Sequence, residues 1–210
     1  GFGEPDFLTA NDVWFMPVAQ KIGPDGCLYV LDWYDRYHCY QDASADPKGV
    51  DRGHGRLYRI VHDKRPKQRY QDISKLDEQE LIRALGDSNL FVRQRSQLEL
   101  AERGLQVDST TAKELQKLSI ESGSLKNSMH ALWALAGSGA LSETHLESLL
   151  SHLNPEVRAW AVRLTADQFP GNQTLLAKCR VLSKDADPRV RLQVSIAAPK
   201  FHRAIQDEKA

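Results

Sequence analysis

An aliphatic residue followed by a base returns along the chain at Val92-Arg93, Leu125-Lys126, Val157-Arg158 and Val190-Arg191, at spacings of 33, 32 and 33 residues. No other feature constrains the fold as tightly. A fixed period of this length means that one supersecondary unit is repeated, each copy covering an apolar face of the next. Two anchors follow the same turn, Asn154-Pro155-Glu156 and Asp187-Pro188-Arg189, and a third follows Asp87-Ser88-Asn89. Asp or Asn caps the helix that follows, and Pro fits its first turn, where a missing N–H costs nothing.

Ahead of each anchor runs an apolar stripe at helical spacing: Leu81 and Leu85, then Leu115 and Leu118, then Leu146, Leu149, Leu150 and Leu153, then Leu175, Cys179 and Leu182. Behind each runs a second one, marked by Leu98 and Ala101, by Met129, Leu132 and Trp133, by Ala161 and Leu164, and by Val194 and Ala197. Each copy therefore reads as a helical hairpin. About four of them stack over residues 74–210 into an α-solenoid with a continuous core and a curved groove.

The first 60 residues differ in kind: they hold 10 of the 16 aromatic residues and 7 of the 13 glycines. They carry 6 bases against 9 acids, and the remainder carries 22 against 19, so the parts are oppositely charged within a chain of net charge +0. That neutral total argues against a nucleic-acid partner. The longest uncharged stretch, residues 127–142, is too short and too polar for a membrane span. Turn-forming Gly23-Pro24-Asp25-Gly26 precedes a β-rich run through Tyr34, Gly55-Arg56-Leu57-Tyr58-Arg59-Ile60 forms a second, and residues 13–18 a shorter first. The expected organisation is β then α: strands over 1–63, a basic linker over 64–73 and helical repeats over 74–210. Three strands with open edges cannot bury both faces of so aromatic a sheet, and the abrupt opening at Gly1-Phe2-Gly3 reads as a cut through a larger β domain.

Through its D/N-P-x-V-R turns the repeat resembles the HEAT family in its short bacterial form, although the second copy departs with Leu125-Lys126 and lacks the Asp-Pro turn. The strand sequences beginning Pro24-Asp25-Gly26 and Gly55-Arg56-Leu57-Tyr58 resemble the closing blade of a β-propeller of the glucose/sorbosone dehydrogenase and NHL-like kind. Phe15-Met16-Pro17-Val18, Asp32-Trp33-Tyr34-Asp35, a long His/Asp loop and the repeats then follow the plan of bacterial membrane-bound dehydrogenase-type proteins. That resemblance implies the C-terminal portion of an extracytoplasmic quinoprotein-like redox protein, periplasmic or membrane-associated. It acts on a sugar or alcohol, with pyrroloquinoline quinone and calcium as cofactors of the parent and c-type haem in a further domain. The repeats then scaffold or dock a protein partner or electron-acceptor domain. The other reading is a non-catalytic HEAT-type interaction module, and the residues at hand are expected to be inactive alone.

The candidate site residues follow from chemistry. His38 and His54 are the histidines of the polar loop and the candidates for general base or ligand, since neutral imidazole suits both roles. Asp25, Asp35, Asp42 and Asp46 are the candidate cofactor contacts, against the plainer readings of a turn-shaping Asp25 and a solvated loop. Pro47 and Gly53 break an EF-hand pattern there, and no metal site is assigned. Cys27 and Cys39 flank one strand and either pair or stay reduced. Trp133 and Trp160 are candidate partner anchors, with core filling between repeats as the plainer reading. Arg93, Arg158 and Arg191 are expected to bond the Asp or Asn of a neighbouring turn, Cys179 to sit in the core, and His145 and His152 to lie at the surface.

Overall fold

The computed structural model of the chain describes residues 5–37, 44–49, 51, 53–64 and 71–207. Two compact units are present: Gly1–Gln71 with Asn89–Phe91, and Asp72–Ser88 with Val92–Ala210. In the first, β1 (Pro17–Ile22), β2 (Leu28–Asp32) and β3 (Arg56–Ile60) form an antiparallel sheet in the order β1-β2-β3. The turn over residues 23–27 joins β1 to β2, with Gly26 N–H donating to the Gly23 carbonyl at 2.9 Å. Gly26 takes φ 74°, which costs glycine little. The Tyr29 ring lies against Gly23 so closely that a Cβ there would fall 2.3 Å from its Cε2 atom.

The short strand expected over residues 13–18 begins later, at Pro17. Asp12 is the reason: its Oδ1 accepts the Trp14 N–H at 2.9 Å and its carbonyl the Phe15 N–H at 3.1 Å, so residues 12–15 close a turn instead of pairing. Register then decides the faces. Val30 opposes Tyr58 and is buried, whereas Leu31 opposes Leu57 on the other face and both are exposed, at 44% and 64%. Among the described residues of the sheet, Val30 is the one fully buried apolar side chain.

The second unit follows with eight α-helices among the described residues. They are α1 (Glu78–Ala84), α2 (Leu90–Arg103), α3 (Thr110–Glu121), α4 (Leu125–Ser138), α5 (Glu143–Leu150), α6 (Pro155–Gln168), α7 (Gln173–Val181) and α8 (Pro188–Asp207). The chain as a whole is thus β then α. Their starts are written in the sequence. Asp77 and Glu80 form a reciprocal capping box, and Ser109, Ser142, Asn154 and Asn172 each accept an N–H of the first turn. Ser124 makes no such bond, in the copy that lacks the Asp-Pro turn.

Packing follows the repeat. α3 lies against α4 and α5 against α6; α1, α3, α5 and α7 neighbour one another in sequence, as do α4, α6 and α8. Leu81, Leu100, Leu115, Leu132, Leu146 and Leu175 are fully buried along this core. Polar side chains repeat the period as well. Gln97 meets His130 at 2.7 Å, Glu156 meets Arg189 at 3.2 Å, and Glu78–Thr111 and Asp167–Lys200 also pair, every one of them 33 residues apart.

Two stripe positions and one histidine differ from expectation. Leu153 is 96% exposed because α5 stops at Leu150 and helical phase no longer applies to it, and Leu98 is 44% exposed on α2. His145, expected at the surface, is buried: it sits in the first turn of α5, where that helix packs on α3.

Candidate functional site

Within the sheet unit the strongest constellation is an Asp–Arg–Asp clasp. Antiparallel register sets Asp32, the last residue of β2, opposite Arg56, the first of β3. Arg56 Nε donates to Asp32 Oδ2 at 2.5 Å and its Nη1 to Asp12 Oδ2 at 2.6 Å. The other Asp32 oxygen accepts the N–H groups of Met16 and Tyr34, at 2.8 and 3.0 Å. Tyr34 takes φ 59°, a region that costs a bulky residue about 1 kcal/mol or more. The bond to Asp32, the guanidinium 4.3 Å from the Tyr34 ring centre and the stacked Trp14 ring hold it there.

Hydrogen bonds hold the charges of the clasp in place, while Arg56 Nη2 is buried without a partner among the described residues. Burial works to raise the Asp32 carboxyl, but the two backbone N–H groups and Arg56 outweigh it and hold the acid below the usual carboxylate range. Desolvation likewise opposes the Arg56 charge, and its carboxylate partners outweigh it. A carboxylate locked in its charged form among three donors neither takes nor gives a proton near neutrality, so the group braces the sheet rather than acting as acid or base.

The other candidates are dispersed. Asp25 is spoken for, by the Cys27 N–H at 3.1 Å, the Tyr29 hydroxyl at 3.1 Å and Arg59 Nε at 2.7 Å. Asp35 accepts the Tyr37 N–H, and Asp46 accepts the Tyr37 hydroxyl and faces Arg36. His54 pairs with Asp51 at 2.7 Å on the exposed loop. His38, Asp42 and Cys39 lie outside the described residues; Cys27 is a free, half-buried thiol. Among the described residues no three His, Cys, Asp or Glu side chains converge in a way that holds a metal ion. Asp25, Asp35 and Asp46 each bond a near neighbour, and among the described residues they do not come together in one site.

In the helical unit Trp133 of α4 and Trp160 of α6 meet edge to face at 5.2 Å, half-buried against the core. His130 lies edge-on to Trp133 at 5.3 Å, and the Arg163 guanidinium sits 4.8 Å from the Trp160 ring centre. The result is an aromatic row across two helices, capped by a cation and adding attraction beyond burial. The two tryptophans brace adjacent copies of the repeat.

The anchor arginines share one geometry. Nη1 of Arg93 bonds the carbonyls of Asp87 and Ser88, that of Arg158 the carbonyls of His152 and Leu153, and that of Arg191 the carbonyls of Asp185 and Ala186, all at 2.6–3.0 Å. Each thus satisfies carbonyls of the turn before its own helix, groups that helix ends leave without partners. The expected bond to a neighbouring acidic side chain exists at Arg158, whose Nε and Nη2 grip both oxygens of Asp185 at 2.8 Å. At Arg93 and Arg191 the bonds among the described residues are to backbone carbonyls.

Asp12, Asp32 and Arg56, none of them a candidate from the sequence, come together only in the folded sheet. A charged pair at the facing ends of two predicted strands was the available signal. Comparison with known proteins adds one finding: the family described as a domain of unknown function, DUF7133, matches residues 3–64, the sheet-bearing part of the chain. No curated protein and no solved structure matches the chain. No helix among the described residues is long and apolar enough to cross a membrane.

Proposed function

We propose that the chain is a non-catalytic, C-terminal portion of an extracytoplasmic quinoprotein-like redox protein. Its sheet serves as a propeller blade, and its helical hairpins as a HEAT-like solenoid that scaffolds the protein or docks a partner. The observation that carries the scaffold role is the register of the second unit, where side-chain pairs recur 33 residues apart from Glu78–Thr111 to Asp167–Lys200. Bonds that repeat with the sequence period are what nearest-neighbour stacking of like units requires.

The sheet supports its half of the reading by what it leaves bare. With Leu31, Leu57 and Trp33 exposed at 44, 64 and 60%, it gains by covering from further strands, as a propeller of at least four blades supplies. The non-catalytic role is supported by the carboxylates of Asp12, Asp25 and Asp32, each held in its charged form by hydrogen bonds and an arginine.

The test is turnover. The chain, mixed with pyrroloquinoline quinone, calcium, a sugar or alcohol and an artificial electron acceptor, is expected to reduce no acceptor above the protein-free rate. Substrate-dependent reduction that disappears in Asp32→Asn would overturn the proposal.

A further inference from the structure

Successive copies of the repeat are joined by different chemistry. Between the third copy (α5, α6) and the fourth (α7, α8) run four ion pairs: Arg158–Asp185, Glu147–Lys178, Glu156–Arg189 and Asp167–Lys200. Between the second copy (α3, α4) and the third there is none among the described residues. Two histidines of the third copy take their place, reaching adjacent residues at the end of α3. His145 Nε2 lies 2.9 Å from Ser119 Oγ, and His152 Nε2 lies 3.2 Å from the Ile120 carbonyl oxygen. Gln168 also donates to the Ala136 carbonyl, and Trp133 meets Trp160; neither contact titrates.

Each imidazole is used in a form that a second proton disturbs. Ser119 Oγ spends its proton on the Gln116 carbonyl, so His145 Nε2 donates to it, from a site where burial disfavours charge. His152 Nδ1 accepts the Asn154 N–H at 3.0 Å, a bond for which an imidazolium has no lone pair left.

The charges around His145 do not offset that cost. α5 packs on α3, α6 and α7. On α3, Lys117 pairs with Glu121, Glu114 meets Gln79, and Lys113 is exposed. On α6, Glu156, Arg158, Arg163 and Asp167 are all in ion pairs. Lys178 of α7 holds Glu147 of α5, while Arg180 and Glu143 on the same two helices are exposed. Burial alone lowers the His145 pKa, to about 4 from 6.5.

We propose that the junction between the second and third copies is an acid-sensitive hinge: protonation of His145 uncovers the α3 face of α5, while the ion-paired junction behind it stays closed. Asp185, held below the usual carboxylate range by Arg158, keeps its charge at pH 5. Once uncovered, the eight-residue α5 is too short to keep its hydrogen bonds unaided. An imidazole that titrates at 6.5 when open and at about 4 when closed raises the open-to-closed ratio by about 25-fold between pH 7.5 and pH 5.

The test is hydrogen exchange of the full chain at these two pH values, each rate corrected for its intrinsic pH dependence. Protection of the α5 amides is expected to fall by about 25-fold on acidification, with that of the α8 amides unchanged. The fall is expected to vanish in His145→Gln. It is expected to persist in His130→Gln, which removes the buried histidine that bridges the first and second copies through Gln97. No fall in α5, an equal fall in α8, a fall that survives His145→Gln, or one that His130→Gln also removes overturns the proposal. The comparison of α5 with α8 needs the wild type alone and decides even where a variant fails to fold.

Discussion

His145 makes the stability of the helical unit depend on pH. Ser119 Oγ donates to the Gln116 carbonyl at 2.8 Å, so its one proton is used, and His145 Nε2, 2.9 Å away, is the donor to that oxygen. The imidazole thus carries a proton on Nε2, and at 6% exposure burial favours its neutral form. Burial pushes its pKa down to about 4 from 6.5. The folded state thus resists a proton that the unfolded chain takes up readily. The contribution is fully present above pH 6.5 and is lost as pH falls toward 4. From these two values the loss is about 1.3 kcal/mol at pH 5.5 and about 2.5 kcal/mol at pH 4.5, relative to pH 7.5. His145→Gln cannot titrate and carries an N–H at a similar reach. Urea unfolding followed by circular dichroism at these pH values is expected to show the wild type losing that much more stability than the variant. Parallel losses in the two proteins would refute the assignment of a neutral, buried imidazole.

Three further outcomes are expected. Gly137→Ala improves helix propensity by about 1 kcal/mol, yet its Cβ would fall 2.8 Å from the Ala101 Cβ, so a net loss of about 1 kcal/mol is expected in thermal unfolding, recovered by Ala101→Gly in the same chain. Arg158→Ala and Asp185→Ala, singly and together, are expected to show a coupling of about 1.5 kcal/mol in urea unfolding, since both side chains are largely buried and doubly bonded. Asp32→Asn leaves Arg56 with Asp12 as its one carboxylate and is expected to cost the sheet unit about 2 kcal/mol, below the figure for fully buried pairs because Arg56 is 31% exposed; Trp14 and Trp33 fluorescence during unfolding reads it.

Much of the helical unit was legible because its signals are local. A cap is set by one Ser, Asp or Asn and the next three residues, and an apolar stripe by a period of 3.6. Asn154-Pro155 and Asp187-Pro188 therefore mark the starts of α6 and α8 without help from the rest of the fold. Leu153 and His145 escaped the same reasoning for a common cause: where a helix stops, and which neighbour lies over its first turn, depend on residues far along the chain. The candidate site was less legible still. His54 and Asp35 carried suggestive chemistry and make short-range bonds, whereas Asp32 and Arg56 stood in strand motifs that pointed to fold and Asp12 in none.

The sequence by itself determined the break between β-type and helical parts, the 33-residue period and the capped helix starts, since each follows from residues within one turn or one repeat. Only tertiary structure decided that Arg56 closes between two aspartates, that Arg158 finds the carboxylate of Asp185 beside its turn carbonyls, and that His145 is sealed against Ser119. Those outcomes depend on strand register and on which copies face one another, and such distances are set by packing across the chain rather than by neighbours along it.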